Sequence, residues 1–302
     1  MKVALLFSGQ GAQSVGMAKT LFDNYASVRE LFQCADDTLG FSLSKICFDG
    51  PMSDLTKTSV CQPALYVHGI AVVQVLKECG MLGDIVAALG LSLGELTAHA
   101  IAGTYTFEEG LKIVAERGRL MQKACDASKG AMASLIGGSV EKVLEYCSEF
   151  DIDMSNLNCP GQVVVSGDEV NVNKAVEAAK ERKDFKMVVP LKVAGAYHSR
   201  LMKPARDAFA NYLDSFDFGK PNVAVFTNVT GERVTEPSDI KLNLIKQVTS
   251  TVRWEDCVNN AAKLGVEQFV ECGPGAVLAG MMRRINKDYP IRSFAEIRDF
   301  EG

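Results

Sequence analysis

The sequence is poor in the patterns that bind metal, cross membranes or grip nucleic acid. Its nine cysteines are widely spaced and never form a Cys-x-x-Cys pair. Neither a zinc site nor a disulfide framework is therefore expected, and the odd number fits thiols packed as small apolar groups in a reducing cytoplasm. There is no run of basic residues, and the formal net charge is -5 over 302 residues. That argues against a nucleic-acid groove and a polybasic membrane patch. The apolar run at residues 3–7 is broken by Ser8-Gly9-Gln10-Gly11, too early for a signal peptide, and no stretch is expected to span a bilayer. Histidines number three, so imidazole chemistry has few candidates. Small molecules and other proteins are the expected partners.

What the sequence does contain is a nucleophile turn. An apolar run at 86–89 leads into Gly90-Leu91-Ser92-Leu93-Gly94 and then into an amphipathic helix from about Glu95. Strand, tight turn and helix in that order hold a serine in a strained backbone conformation, with glycines on both sides because strand and helix nearly touch. N–H groups at the helix start and the positive end of its dipole then face any oxyanion formed on Ser92. Small residues also cluster in ordinary turns, and it is the flanking strand and helix that favour the nucleophile reading. Such a site needs a second oxyanion donor from a loop after another strand. The turn at residues 8–13 offers the N–H of Gln10, although two glycines there could equally make a plain turn.

Helices are expected at 15–37, 41–47, 52–57 and 61–79, the last with Pro63 in its first turn. Another covers 107–125, with an apolar stripe of Leu111, Val114, Gly118, Met121 and Cys125. Arg117 lies at the edge of that stripe. A guanidinium beside a buried face needs a carboxylate partner, which Glu116, another protein carboxylate or a substrate could supply. His68 falls inside a helix and reads as a packed or partly exposed residue, and His99, two turns along the helix after Ser92, should lie well away from the hydroxyl.

From residue 131 the pattern is strand 131–136, helix 139–149, strands 152–157 and 162–166 joined at Cys159-Pro160-Gly161, helix 169–182 and strand 187–193. That is a ferredoxin-like unit. Its exit, Gly195-Ala196-Tyr197-His198-Ser199, puts His198 in a turn before a helix, where the dipole favours the neutral imidazole that a general base needs. A helix-cap duty is the alternative, but with the other histidines on helices His198 is the leading partner for Ser92. Strands at 224–228 and 268–271 and helices at 239–248, 254–264 and 276–286 complete the chain. Cys272, in a tight turn at a sheet edge, reads as buried filler. The expected fold class is α/β, with a hydrolase-like parallel-sheet large domain (1–128 and 197–302) and an inserted ferredoxin-like small domain (129–196).

Several motifs together resemble one family, the malonyl-CoA:acyl carrier protein transacylases of type II fatty acid synthesis and the related acyltransferase domains of polyketide synthases. They are Phe7-Ser8-Gly9-Gln10-Gly11-Ala12-Gln13, Gly90-Leu91-Ser92-Leu93-Gly94-Glu95, Glu116-Arg117-Gly118, Gly130-Ala131-Met132-Ala133, Asn158-Cys159-Pro160-Gly161-Gln162, Gly195-Ala196-Tyr197-His198-Ser199 and Glu271-Cys272-Gly273-Pro274-Gly275. The resemblance implies an S-malonyltransferase working through a malonyl-serine. Ser92 would be the nucleophile, His198 the base, the backbone N–H groups of Gln10 and Leu93 the oxyanion hole, and Arg117 the partner of the malonyl carboxylate. The backbone carbonyl of Gln247 would orient the histidine.

The resemblance further implies malonyl-CoA and acyl carrier protein as partners, no cofactor or metal, and a cytoplasmic monomer serving fatty acid biosynthesis. A basic patch for the acidic carrier is expected, with Lys183, Lys203, Arg283 and Arg284 as candidates. Three positions depart from the family pattern: Leu91 stands for a histidine, Ser8 for a proline and Tyr197 for a phenylalanine. Leu91 is expected to alter entry to the site without abolishing the nucleophile. Competing readings are a serine hydrolase, which has no use for Arg117, and a docking module without turnover, which would lack Ser92, His198 or Arg117.

Overall fold

The computed structural model describes residues 1–301. Among them the strands run β1 (Lys2–Phe7), β2 (Asp84–Gly90), β3 (Gly130–Ile136), β4 (Asp153–Cys159), β5 (Gln162–Asp168), β6 (Met187–Pro190), β7 (Ala224–Phe226), β8 (Arg233–Val234), β9 (Val252–Arg253), β10 (Gln268–Cys272) and β11 (Ile291–Phe294). They form a six-stranded sheet in the order β11-β10-β1-β2-β7-β8 and a five-stranded sheet in the order β6-β3-β5-β4-β9.

The larger sheet is parallel except at β8. Its central strand β1 is apolar at successive positions because both faces are covered, as parallel sheets require. Val3, Leu5 and Phe7 point into one core, shared with the Thr58–Glu78 and Phe107–Ala127 helices. Ala4 and Leu6 point into the other, shared with the Trp254–Ala262 and Val277–Ile285 helices. The smaller sheet pairs β3 with β5 and β6 and β4 with β5, all antiparallel. That is the strand order of the expected ferredoxin-like unit. One face is packed by the Val140–Phe150 and Glu169–Arg182 helices over a third core.

Several details differ from the sequence reading. The helix expected over 15–37 is two helices, Lys19–Asn24 and Ala26–Leu39, split where Tyr25 is extended. Thr58–Glu78 begins earlier than expected, so Pro63 lies inside it rather than in its first turn. That helix is also long and apolar enough to cross a membrane by length and composition, contrary to the expectation, but 78% of its apolar window is buried in the fold. Its apolarity is that of a central core helix, apolar all round because it is covered all round. Strands β8, β9 and β11 had no signal, since two to four residues are too few to show a period. Of these β9 matters most. It comes from sequence far beyond the small unit yet adds to its sheet beside β4.

Candidate active site

The turn at Ser92 is as tight as its glycines suggest. A Cβ on Gly90 would lie 1.8 Å from the backbone of Gly94, and one on Gly94 would lie 2.1 Å from the carbonyl oxygen of Phe7. Strand β2, the helix Leu93–Ile101 and strand β1 therefore meet backbone to backbone. Ser92 sits between them with φ 53° and ψ -103°, a conformation costing on the order of 1–3 kcal/mol that persists only where the surroundings over-determine it. They do so here. The N–H of Ser92 donates to Asn228 Oδ1 (2.7 Å), and its carbonyl accepts from Gln247 Nε2 (2.9 Å). Leu93 follows as the first helical residue, a position whose N–H has no intrahelical acceptor.

His198 arrives from 106 positions away, its Nε2 2.7 Å from Ser92 Oγ. It too has a positive φ, 57°. Its Nδ1 lies 2.8 Å from the carbonyl oxygen of Gln247. A carbonyl only accepts, so Nδ1 carries the proton and Nε2 presents a lone pair to the serine. Burial holds the imidazole at about 4, with the charge of Arg117 acting in the same direction. The expected neutrality is thus present, but its leading cause is burial rather than a helix dipole. His68 and His99 are buried scaffold: His68 Nε2 meets the carbonyl of Ala295 at 3.1 Å and His99 Nδ1 meets Thr104 Oγ1 at 3.1 Å.

Arg117 completes the group. The helix that carries it starts with a capping box, Thr106 and Glu109 each bonding the other's backbone N–H, which fixes its register and turns Arg117 inward with Leu111, Val114 and Met121. The side chain is 1% exposed, and among the described residues no carboxylate hydrogen-bonds to it. Its partners are Gln62 Oε1 (2.7 Å), Gln247 Oε1 (2.7 Å) and Ser92 Oγ (3.2 Å), while Nε has no acceptor among the described residues. Burial pulls it down to about 10, opposed by the charge of Glu95. Glu116, the sequence neighbour that could have paired with it, instead grips Arg119 through two 2.7 Å bonds. Because Ser92 Oγ accepts from Arg117, its own hydrogen is directed at His198.

Ser92 and His198 open into a cavity of about 270 Å³ that both sheets help to wall, with Gln62, which holds Arg117, in its lining. Gln10, Leu93 and Gln62 line it from the larger sheet's side, and Met132, Asn156, Asn158 and Val164 from the smaller. Gln10 sits in the loop after β1, whose Gly9 leaves no room for a Cβ beside the carbonyl of Leu91. Its side chain donates to the hydroxyl of Tyr197 (3.2 Å), which is 2.5 Å from Thr58 Oγ1. Leu91, one of the departures from the family pattern, adds an apolar wall. His198 also borders a wider groove of about 680 Å³ beside Arg200 and Arg253. Ser92 does not line that groove.

Ser92, His198, Arg117, Gln10, Leu93 and Gln247 are thus brought to one place. Four residues went unassigned from sequence: Gln62, Glu95, Asn228 and the side chain of Gln247. Glu95 is 0% exposed. It accepts from the N–H of Asn228 (2.8 Å) and from Gln247 Nε2 (2.6 Å), and burial pushes its carboxyl up to about 7. A polar residue within an otherwise apolar helix, Gln62 beside Cys61 or Glu95 beside Leu96, was the available signal. Cys272 is buried filler as expected, its thiol pushed well up by burial. Of the basic candidates, Lys203 pairs with Asp207 and Arg284 donates to Gln162 and the carbonyl of Pro160. Among the described residues no cluster has the makings of a metal site.

A strained serine at a strand-to-helix turn, bonded to a neutral histidine with a fixed tautomer, defines a serine acyl-transfer enzyme of the α/β class. Residues 4–296 match the family described as acyl transferase domain, and the chain belongs to that family. It is 40% identical over 291 residues to the malonyl CoA-acyl carrier protein transacylase of Bacillus subtilis, covering 95% of this chain and 91% of the relative. It is 36% identical to the protein of that name from Staphylococcus aureus, over 100% of this chain and 98% of the relative. Among solved structures, the acyl carrier protein S-malonyltransferase of Vibrio cholerae superposes with a TM-score of 0.94 at 37% identity, covering 100% and 99% of the two chains. A malonyl-transacylase in complex with its type II PKS acyl-carrier protein superposes at 0.95 with 34% identity, covering 100% and 98%.

Proposed function

We propose that the protein transfers the malonyl group from malonyl-CoA to the phosphopantetheine thiol of acyl carrier protein. The observation that carries this reading is the buried Arg117, held 3.2 Å from Ser92 Oγ by neutral acceptors. A guanidinium without a carboxylate, beside a nucleophile, fits a substrate that brings its own carboxylate, gripped by two parallel hydrogen bonds.

In the first step His198 Nε2 takes the proton of Ser92 as Oγ attacks the thioester carbonyl. The backbone N–H groups of Gln10 and Leu93 hold the oxyanion, and coenzyme A leaves with the proton that His198 returns. In the second, His198 takes the proton of the carrier thiol, whose sulfur attacks the malonyl-serine, and the proton returns to Ser92. The Gln247 carbonyl keeps the imidazole in the required tautomer, so no acidic third member is needed. A neutral acyl group would leave the buried guanidinium unmatched, which makes Arg117 the basis of selectivity.

The same reading takes 1–128 with 197–302 as the catalytic domain, 129–196 as an inserted domain, and the chain as a cytoplasmic monomer. Intact mass after brief exposure to malonyl-CoA or acetyl-CoA tests the reading. The expected result is a malonyl adduct that is absent from Ser92→Ala, passes to added acyl carrier protein, and gives way to acetyl in Arg117→Ala. An adduct lost to water without reaching the carrier would sink the transferase assignment in favour of a hydrolase.

A further inference from the structure

We propose that Glu95 is a positioning residue for Arg117. Acting through the Gln247 carboxamide, it fixes the direction of the guanidinium and balances its charge, so that preference for an acyl group bearing a carboxylate depends on it. This rests on the reading that Arg117 grips the malonyl carboxylate.

An ionised carboxylate only accepts hydrogen bonds and a guanidinium only donates them, so a primary amide is suited to stand between the two. Gln247 does so. Its Nε2 donates to Glu95 (2.6 Å) and to the carbonyl of Ser92 (2.9 Å), and its Oε1 accepts from Arg117 (2.7 Å). Turning the amide over would set N–H against N–H at Arg117 and oxygen against oxygen at Glu95 and Ser92. Glu95 therefore selects the orientation in which Gln247 accepts from Arg117. It is itself fixed by the N–H of Asn228 (2.8 Å), whose side chain holds the N–H of Ser92 (2.7 Å). Glu95 and Arg117 are both almost fully buried. Direct pairing would occupy the donors that the substrate needs. Pairing through one amide supplies the opposite charge and leaves Nε of Arg117 without an acceptor among the described residues.

The test is the ratio of kcat/KM for malonyl-CoA to that for acetyl-CoA, measured at pH 8, where the Glu95 carboxyl, raised to about 7, is ionised. Losing a charge-assisted bond in this relay is expected to lower the ratio about 10-fold in Glu95→Gln. Gln247→Met, which keeps the backbone carbonyl, is expected to lower it similarly, and keeps the test open should Glu95→Gln fail to fold. Combining the two gives no further drop, and in Arg117→Ala the Glu95→Gln change moves the ratio less than about 2-fold. Parallel loss with both substrates would mean that Glu95 merely braces the turn. A rise in the ratio would mean that the anion competes with the substrate for Arg117. Either outcome overturns the proposal while leaving the transferase reading intact. A wild-type protein forming no malonyl-Ser92 overturns both.

Discussion

The two walls of the cavity are built on different principles. On the side of the larger sheet, backbone meets backbone at Gly90 and Gly94, and half-buried Ser92 joins the buried Glu95, Arg117, Asn228 and Gln247 in one hydrogen-bonded group. On the side of the smaller sheet, the wall is side-chain surface, Met132 and Val164 with Asn156 and Asn158. The ties that hold this second wall in place include exposed ones. Arg200, two residues after His198, pairs with Asp151 and Asp153, and β9, just after Gln247, pairs with β4. Ser92 and His198 sit where positions are over-determined, and the wall that faces them is side-chain surface.

That contrast predicts a descending series of effects. Gly90→Ala, whose Cβ would meet backbone at 1.8 Å, should cost on the order of 3 kcal/mol or more, read as a fall in Tm and soluble yield. A variant as stable as wild type would show that the turn is looser than described. His198→Ala should slow acylation of Ser92 about 1,000-fold with the fold intact, as loss of a general base does. Because burial and Arg117 both hold His198 low, at about 4, its protonation should not limit the rate until well below pH 6. Arg117→Ala should move that acid limb upward, since removing a neighbouring cation makes the imidazole easier to protonate. A limb that stays put, or moves down, would contradict the electrostatics described.

Smaller effects are expected away from the reacting atoms. Tyr197→Phe removes a hydroxyl bonded to Thr58 and Gln10. It should slow acylation about 5-fold by loosening the loop that carries Gln10, the proposed oxyanion donor, a loss of the size of one neutral hydrogen bond. Arg200→Ala breaks solvent-exposed ion pairs and should change the rate by less than about 3-fold, with the residual effect weakening in high salt. A loss from Arg200→Ala as large as that from His198→Ala would erase the distinction between the walls.

What the sequence carried was local. The Gly90–Gly94 spacing, the apolar stripe of the 107–125 helix and the βαββαβ alternation follow from interactions within a few residues of chain, so they were legible before any contact was known. Ser92 and His198 could be put forward as nucleophile and base because the turn motif and the small number of histidines left few choices, and the family resemblance added the expected roles of Arg117 and Gln247. What the sequence could not carry was the partner of each polar group. Arg117 meets Gln247 across 130 positions, Gln247 meets Glu95 across 152, and Ser92 meets His198 across 106. No periodicity encodes such pairings, because they arise only when two sheets and the helices between them pack. The sequence by itself determined which chemistry was available. The tertiary structure decided that the buried guanidinium would face the serine with neutral acceptors around it and its counter-charge one amide away. The physical reason is that burial makes every unmatched donor and charge costly, so closing the core compelled these groups to find one another.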